Sequence, residues 1–155
     1  MLRITKEADY GIVLLAVMAD HEPGEIHTAR QVAERSGLPL PMVSKIMRAL
    51  ARGEVLTSHR GVTGGYSLDR PADETTVAEV IRAIDGPISM VQCGVEPGAC
   101  EREPVCPTRI NWARISREVE RALECIPISE MLSAKSRSEL LRVGNDAARG
   151  GVENR

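Results

Sequence analysis

The residues best equipped for chemistry are cysteines: Cys93, Cys100 and Cys106 lie within fourteen residues of one another, and Cys125 follows alone. Thiolates are soft ligands that suit zinc and iron–sulfur clusters, and they are also the nucleophiles of redox switches. The spacing Cys93-x6-Cys100-x5-Cys106 is looser than the C-x2-C pairs of structural zinc sites. A cluster spreads its ligands over a wider span than one ion does, so longer gaps are tolerable. Gly94, Pro97, Gly98, Pro104 and Pro107 give the loop a backbone able to wrap around such a group. Spacing alone leaves three readings open: cluster ligands, a zinc or thiol switch, and inert cysteines. Cys125 is nineteen residues past Cys106, mostly along an expected helix, a separation on the order of 25 Å. It is expected to be a small buried hydrophobe near the helix end.

Other chemistry finds little support. His21, His27 and His59 fall in or beside turns and show neither triad nor metal-ligand spacing. No Gly-rich nucleotide loop follows a strand, so an enzyme is not expected. The net charge of −2 means that binding to a polyanion must rest on local arrangement. Hydrophobic residues make up 43% of the chain but aromatics only 2%, with no Phe, so the core must be aliphatic, which suits a small helical domain. A length of 155 residues allows one core with an appendage. No stretch approaches the roughly 20 apolar residues needed to cross a bilayer, so no membrane partner is expected. A cytoplasmic address follows, where cysteines seldom form structural disulfides.

The elements that must carry these residues read clearly. Thr5 can cap a first helix whose apolar positions Tyr10, Val13, Leu14, Val17 and Met18 make one buried face. Thr28 and Gln31 form a capping box for a short helix that carries Val32 inward and that Gly37 can end. Pro41 suits the first position of a third helix that buries Val43, Ile46, Met47 and Leu50 and stops near Gly53. Ser44, Lys45, Arg48 and Arg52 then share another face.

From Val55 to Leu68 the pattern changes to two short strands around Gly61–Gly65, a β-hairpin wing. The tip glycines are expected to supply positive φ and to let amides approach a phosphate, with Gly64 at the tip and Arg60 at the start of the turn. Thr76 and Glu79 form a second capping box, and the helix they open packs through Val77, Val80, Ile81 and Ile84 until Asp85-Gly86-Pro87. Past the cysteine loop, Trp112, Ile115, Val119, Ala122 and Ile126 recur at spacings of 3, 4, 3 and 4, the seam of two packed helices.

Two helices joined by a tight turn and followed by a hairpin make a winged helix-turn-helix, which lays its third helix in the major groove of double-stranded DNA. Lys45, Arg48 and Arg52 could meet phosphates or guanine O6/N7, Ser44 several bases, and Arg60 the minor groove or backbone.

The opening Leu2-Arg3-Ile4-Thr5, the wing Ser58–Tyr66 and the three-cysteine loop resemble the family of iron–sulfur transcriptional regulators that includes IscR, NsrR and SufR. The segment from Gly86-Pro87-Ile88-Ser89 through the cysteines to Asn111-Trp112 is most similar to the branch that regulates the SUF iron–sulfur assembly system. The resemblance implies a homodimer with Cys93, Cys100 and Cys106 as cluster ligands, and places Ser44, Lys45 and Arg60 where family members contact DNA. Pro39 and Pro41 stand where some relatives have serines, so those contacts do not carry over. The histidine some relatives carry three residues past the last cysteine is Arg109 here, which cannot ligate iron. Other relatives use an acid of the partner's first helix; Asp9 matches that position, with Glu7 or solvent as the fallback. Asp9 reads equally well as a first-turn acid favourable to the helix dipole.

The expected fold is therefore mainly α with a small β-hairpin: a winged helix-turn-helix over 1–86, a cluster-binding loop over 87–107, a dimerisation helix and short end segment over 108–132, and a disordered tail over 133–155. The expected function is cluster-sensing, DNA-binding transcriptional regulation of iron–sulfur assembly genes, as a repressor, with a 2Fe–2S or 4Fe–4S cluster. A thiol- or zinc-based redox-sensing repressor of the same fold is the alternative.

Overall fold

Three threonines set the helical frame, each placing its hydroxyl over the first turn of a helix. The computed structural model describes residues 4–62, 64–68 and 70–132. Thr5 accepts from the Ala8 amide at 3.1 Å and opens α1, Lys6–Ala19. Thr28 accepts from the Gln31 amide while Gln31 Oε1 accepts from the Thr28 amide, the reciprocal box that opens α2, Ala29–Ser36. Gly37, in the left-handed region at φ 70°, ends it. Thr76 and Glu79 repeat the box at α4, Val77–Asp85. Burial pushes the Glu79 carboxyl up, but hydrogen bonds from Arg70 and Thr76 outweigh it and hold the group below the usual range.

Between α2 and α4 lie α3, Leu40–Arg52, and a hairpin of β1, Leu56–His59, and β2, Gly65–Leu68, paired antiparallel with Ser58 opposite Tyr66. Pro39 is the residue before α3 and Pro41 its second residue, one position later than the spacing predicts. Both sites tolerate proline because the first amides of a helix have no partner within it. After the cysteine loop come α5, Arg109–Glu124, and the short α6, Ile128–Leu132.

Leu14, Leu15 and Met18 of α1 meet Val32 of α2, Val43, Ile46, Met47 and Leu50 of α3, and Val77 and Val80 of α4 in one aliphatic core. The single face expected for α1 is too narrow. Leu15 is fully buried whereas Val13 is 39% exposed, because α1 packs against α2, α3, α4 and α6 and so buries a broad arc. The last large core member, Ile128, comes from α6. It is held there by backbone: Val77 donates to Ile126 at 2.9 Å and Ile128 to Thr75 at 2.7 Å. Ile126, expected to continue the seam of α5, lies beyond that helix for this reason. Among the described residues no helix is long and apolar enough to cross a membrane. The tail expected over 133–155 lies outside the described residues.

Candidate functional site

The turn between α2 and α3 and the hairpin that follows put two sets of side chains side by side. Lys45, Arg48 and Arg52 are exposed on α3, and Ser44 is half-buried beside them. Arg48 turns back to donate to the Ser44 carbonyl at 2.9 Å. Arg48 and Arg52 line an open concavity with Ala51, and its far wall is Ser58 and Tyr66 of the hairpin. Lys45 instead reaches the Glu7 carboxylate of α1 at 2.6 Å.

The wing is held by more than its own turn. His27, 2% exposed, exchanges two backbone hydrogen bonds with Tyr66, at 2.8 and 2.9 Å, so the segment before α2 flanks β2 like a third strand. Burial holds the His27 imidazole below its usual range, against the opposing pull of Glu25 and with help from His21 and Arg35. Of the tip glycines, only Gly61 has positive φ, at 111°. Gly64 is needed for a different reason: a Cβ there would stand 2.5 Å from the His59 carbonyl oxygen and 2.9 Å from that of Gly61. Arg60 is exposed at the base of the turn.

The cysteine loop crosses the side of α5. Cys93 lies in a 3-10 turn, Gln92–Gly94, and Cys106 follows a second, Glu103–Val105. Cys93 and Cys106 are half-buried, Cys100 is exposed, and all are free thiols. The Cys106 thiol is held below its usual range first by the Thr108 hydroxyl, 3.4 Å away, then by the Thr108 amide. The three sulfurs are not drawn together: among the described residues no three His, Cys, Asp or Glu side chains form a metal-holding group. As a donor set, three free thiols on one loop fit the chemistry of a cluster. Asp9 is exposed in the first turn of α1. Cys125 is not the buried hydrophobe expected, because it caps the end of α5 with its side chain exposed.

Two ties fasten the loop to α5. Ser116, buried, accepts from the Met90 amide at 3.0 Å. Glu103, also buried, pairs with Arg109 at 3.1 Å. The outer side of α5 is bare: Trp112, Ile115 and Ala122 are exposed, and Ser116 is the helix's one buried residue. Sequence reasoning missed Ser116, Glu103 and His27. Nothing separates Glu103 in sequence from its exposed neighbours Glu96 and Glu101.

A winged helix-turn-helix carrying a basic face and a free-thiol loop narrows the choice of family, and residues 4–134 match the Rrf2 family, described as an iron-dependent transcriptional regulator. The chain belongs to the Rrf2 family. The protein rrf2 of Nitratidesulfovibrio vulgaris is 27% identical over 131 residues, covering 84% of this chain and 87% of that protein. The HTH-type transcriptional regulator IscR of Photorhabdus laumondii is 29% identical over 133 residues, covering 85% and 80%. Among solved structures, that of CymR (YrzC), the global cysteine regulator of B. subtilis, superposes with a TM-score of 0.63 at 25% identity, covering 86% of this chain and 98% of that one. Rrf2 membership makes this chain a DNA-binding transcriptional regulator, with relatives that are regulators and not enzymes. The winged-helix fold read from the sequence is the fold of the family.

Proposed function

We propose that this Rrf2 protein is a homodimeric regulator that reads double-stranded operator DNA through α3 and the wing, and that an iron–sulfur cluster on its cysteine loop governs that reading. The observation that carries the proposal is the presence of three free thiols, Cys93, Cys100 and Cys106, on one loop tied to α5. These thiols are the proposed ligands, with the partner's Asp9 as the fourth and Glu7 or solvent as the alternatives. A cluster there supplies a ligand sensitive to oxidation and iron supply. Ser44, Lys45, Arg48, Arg52, Arg60 and Gly64 are the proposed DNA contacts. The bare side of α5, with Trp112 and Ile115 exposed, is the proposed dimer seam.

A ligand shifts DNA affinity only by favouring one of two arrangements. The contacts offer a continuous route between the loop and α3. Arg82 of α4 holds Glu120 and Glu124 of α5 at 2.7 and 2.9 Å. Asp85, at the end of α4, accepts from the Thr5 hydroxyl at the start of α1 at 2.6 Å. Glu7 of α1 then holds Lys45 of α3. In a dimer this route sets how far apart two recognition helices stand, and they must reach half-sites about 34 Å or a multiple apart. Iron–sulfur assembly genes are the proposed targets, resting on the resemblance over residues 86–112, and repression is the proposed sign. The cytoplasm is the proposed address.

The test is an anaerobic absorption spectrum with iron and acid-labile sulfide assayed on the same sample, followed by operator affinity of loaded and metal-free protein at one salt concentration. Matching iron and sulfide with unequal affinities supports the reading, and equal affinities sink the sensing step. The second reading, a thiol-based repressor, is favoured by the likeness to CymR, the global cysteine regulator of B. subtilis, together with loop thiols that stand free. It predicts no bound iron and an operator affinity that changes when the metal-free protein is oxidised; zinc without sulfide would point to the metal form of that alternative.

A further inference from the structure

Glu103 is the one charged side chain of the cysteine loop that is buried, at 8% exposure, and it stands between Cys100 and Cys106 in the chain. A buried carboxylate persists only where its oxygens are satisfied. One oxygen, Oε2, accepts from the Gly98 amide at 2.7 Å, and Gly98 has φ +87°, a turn that L residues rarely adopt. The other, Oε1, faces the Arg109 guanidinium at 3.1 Å. Arg109 is the first residue of α5, a helix with no side-chain cap and no acid in its first turn, where a bare cation opposes the helix dipole. Glu103 offsets that cation from outside the helix. Arg109 also stands between two cavities, one lined by Cys93 and the other by Cys100 and Glu103.

We propose that Glu103 is the positioning residue of the cysteine loop: its carboxylate locks the Gly98 turn onto the start of α5 and so sets where Cys100 and Cys106 stand relative to Cys93. This inference rests on the cluster-binding reading for its purpose, but the positioning itself is a property of the metal-free chain. Removing an outer contact that orients metal ligands commonly costs about 10–100-fold in metal affinity.

Three variants of the full chain test it: Glu103→Ala, Glu103→Gln, which keeps an acceptor for Gly98 but loses the charge, and Arg109→Gln. In metal-free protein, alkylation of Cys100 and Cys106 is followed by mass spectrometry with Cys125, exposed and outside the loop, as internal reference. In reconstituted protein, the half-life of the visible band is followed after addition of a chelator. Glu103→Ala is expected to raise alkylation of the half-buried Cys106 severalfold over Cys125, with the already exposed Cys100 changing little, and to shorten the cluster half-life about tenfold. The thermal midpoint should stay close to wild type, since the polar partners of Glu103, Gly98 and Arg109, lie outside the core. Glu103→Gln and Arg109→Gln should fall between. Wild-type rates in Glu103→Ala overturn the proposal, and so does a fall in the thermal midpoint that tracks both readouts. If wild-type protein takes up no iron, the cluster reading fails while the alkylation rates still decide the role of Glu103. If Glu103→Ala does not fold, Arg109→Gln carries the same comparison.

Discussion

Lys45 Nζ donates to Glu7 Oε1 at 2.6 Å, joining α3 to the first turn of α1. The two side chains are 66% and 41% exposed, so the pair adds about 0–1 kcal/mol to stability and less at high salt. If Lys45 contacts DNA as proposed, Glu7 would compete for it and bring a negative charge near the phosphates. Glu7→Gln should tighten operator binding severalfold at low ionic strength with a thermal midpoint close to wild type. An unchanged dissociation constant would remove Glu7 from the DNA-facing surface.

Lys45 and Arg48 are expected to fail in different ways when truncated. Lys45→Ala should weaken binding to all sequences and lower the salt slope by about one. Arg48→Ala should cost about 1–3 kcal/mol at the cognate operator and little elsewhere. Titrations of both variants against operator and scrambled duplex, at several salt concentrations, separate the two; a uniform loss in Arg48→Ala would reassign it to the backbone.

Gly64→Ala should cost about 1–3 kcal/mol of stability, because the added methyl meets backbone oxygens of His59 and Gly61. Backbone cannot swing aside as a side chain does. Denaturant unfolding and operator binding should both fall, and a variant with wild-type stability would show that the wing tip tolerates another path.

His27 predicts an acid limb of stability. Burial lowers its pKa in the folded protein below the ordinary imidazole value of 6.5, with Glu25 opposing and His21 and Arg35 adding to the shift. The unfolded chain therefore binds the proton more readily, and stability rises with pH. Stability from this group is complete above about pH 6.5 and declines below it, by at most ~1.4 kcal/mol per pH unit, until the folded imidazole also titrates. Urea midpoints between pH 7.5 and 5 should show the decline, and His27→Gln should flatten it. A slope identical in the variant would assign the limb to other groups.

Serine substitutions sort the cysteines. Cys93→Ser, Cys100→Ser and Cys106→Ser should each abolish stable iron retention, while Cys125→Ser, outside the loop, should retain wild-type iron and sulfide. Asp9→Ala is expected to shift the spectrum and shorten cluster lifetime if the partner's carboxylate ligates; unchanged occupancy and spectrum would leave Asp9 as a first-turn acid.

Features set within a few residues were legible in the sequence. The boxes at Thr28 and Thr76 and the left-handed Gly37 depend on neighbours three or four positions away, and they appear where the pattern put them. The helix α3 was legible because Val43, Ile46, Met47 and Leu50 repeat at the helical period. What escaped was contact at long range. His27 seemed idle beside a turn, yet it pairs with Tyr66, thirty-nine residues on. Cys125 was expected inside because free cysteine is often buried, but the chain leaves α5 at that point to reach Thr75, which turns the thiol outward. Glu103 follows no periodicity at all; its role comes from where the Gly98 turn falls.

Ile128 belongs to the same core as Leu14 and Ile46, although the cysteine loop and α5 separate it from them in the chain. Truncating such a side chain to alanine costs about 2–5 kcal/mol. During synthesis the DNA-reading head therefore leaves the ribosome with a hole in its centre, filled only after the thiol loop and the long helix have followed. A chain that stopped before residue 128 would lack that side chain, so the helix-turn-helix core depends for its stability on a segment that follows the cysteine loop and α5.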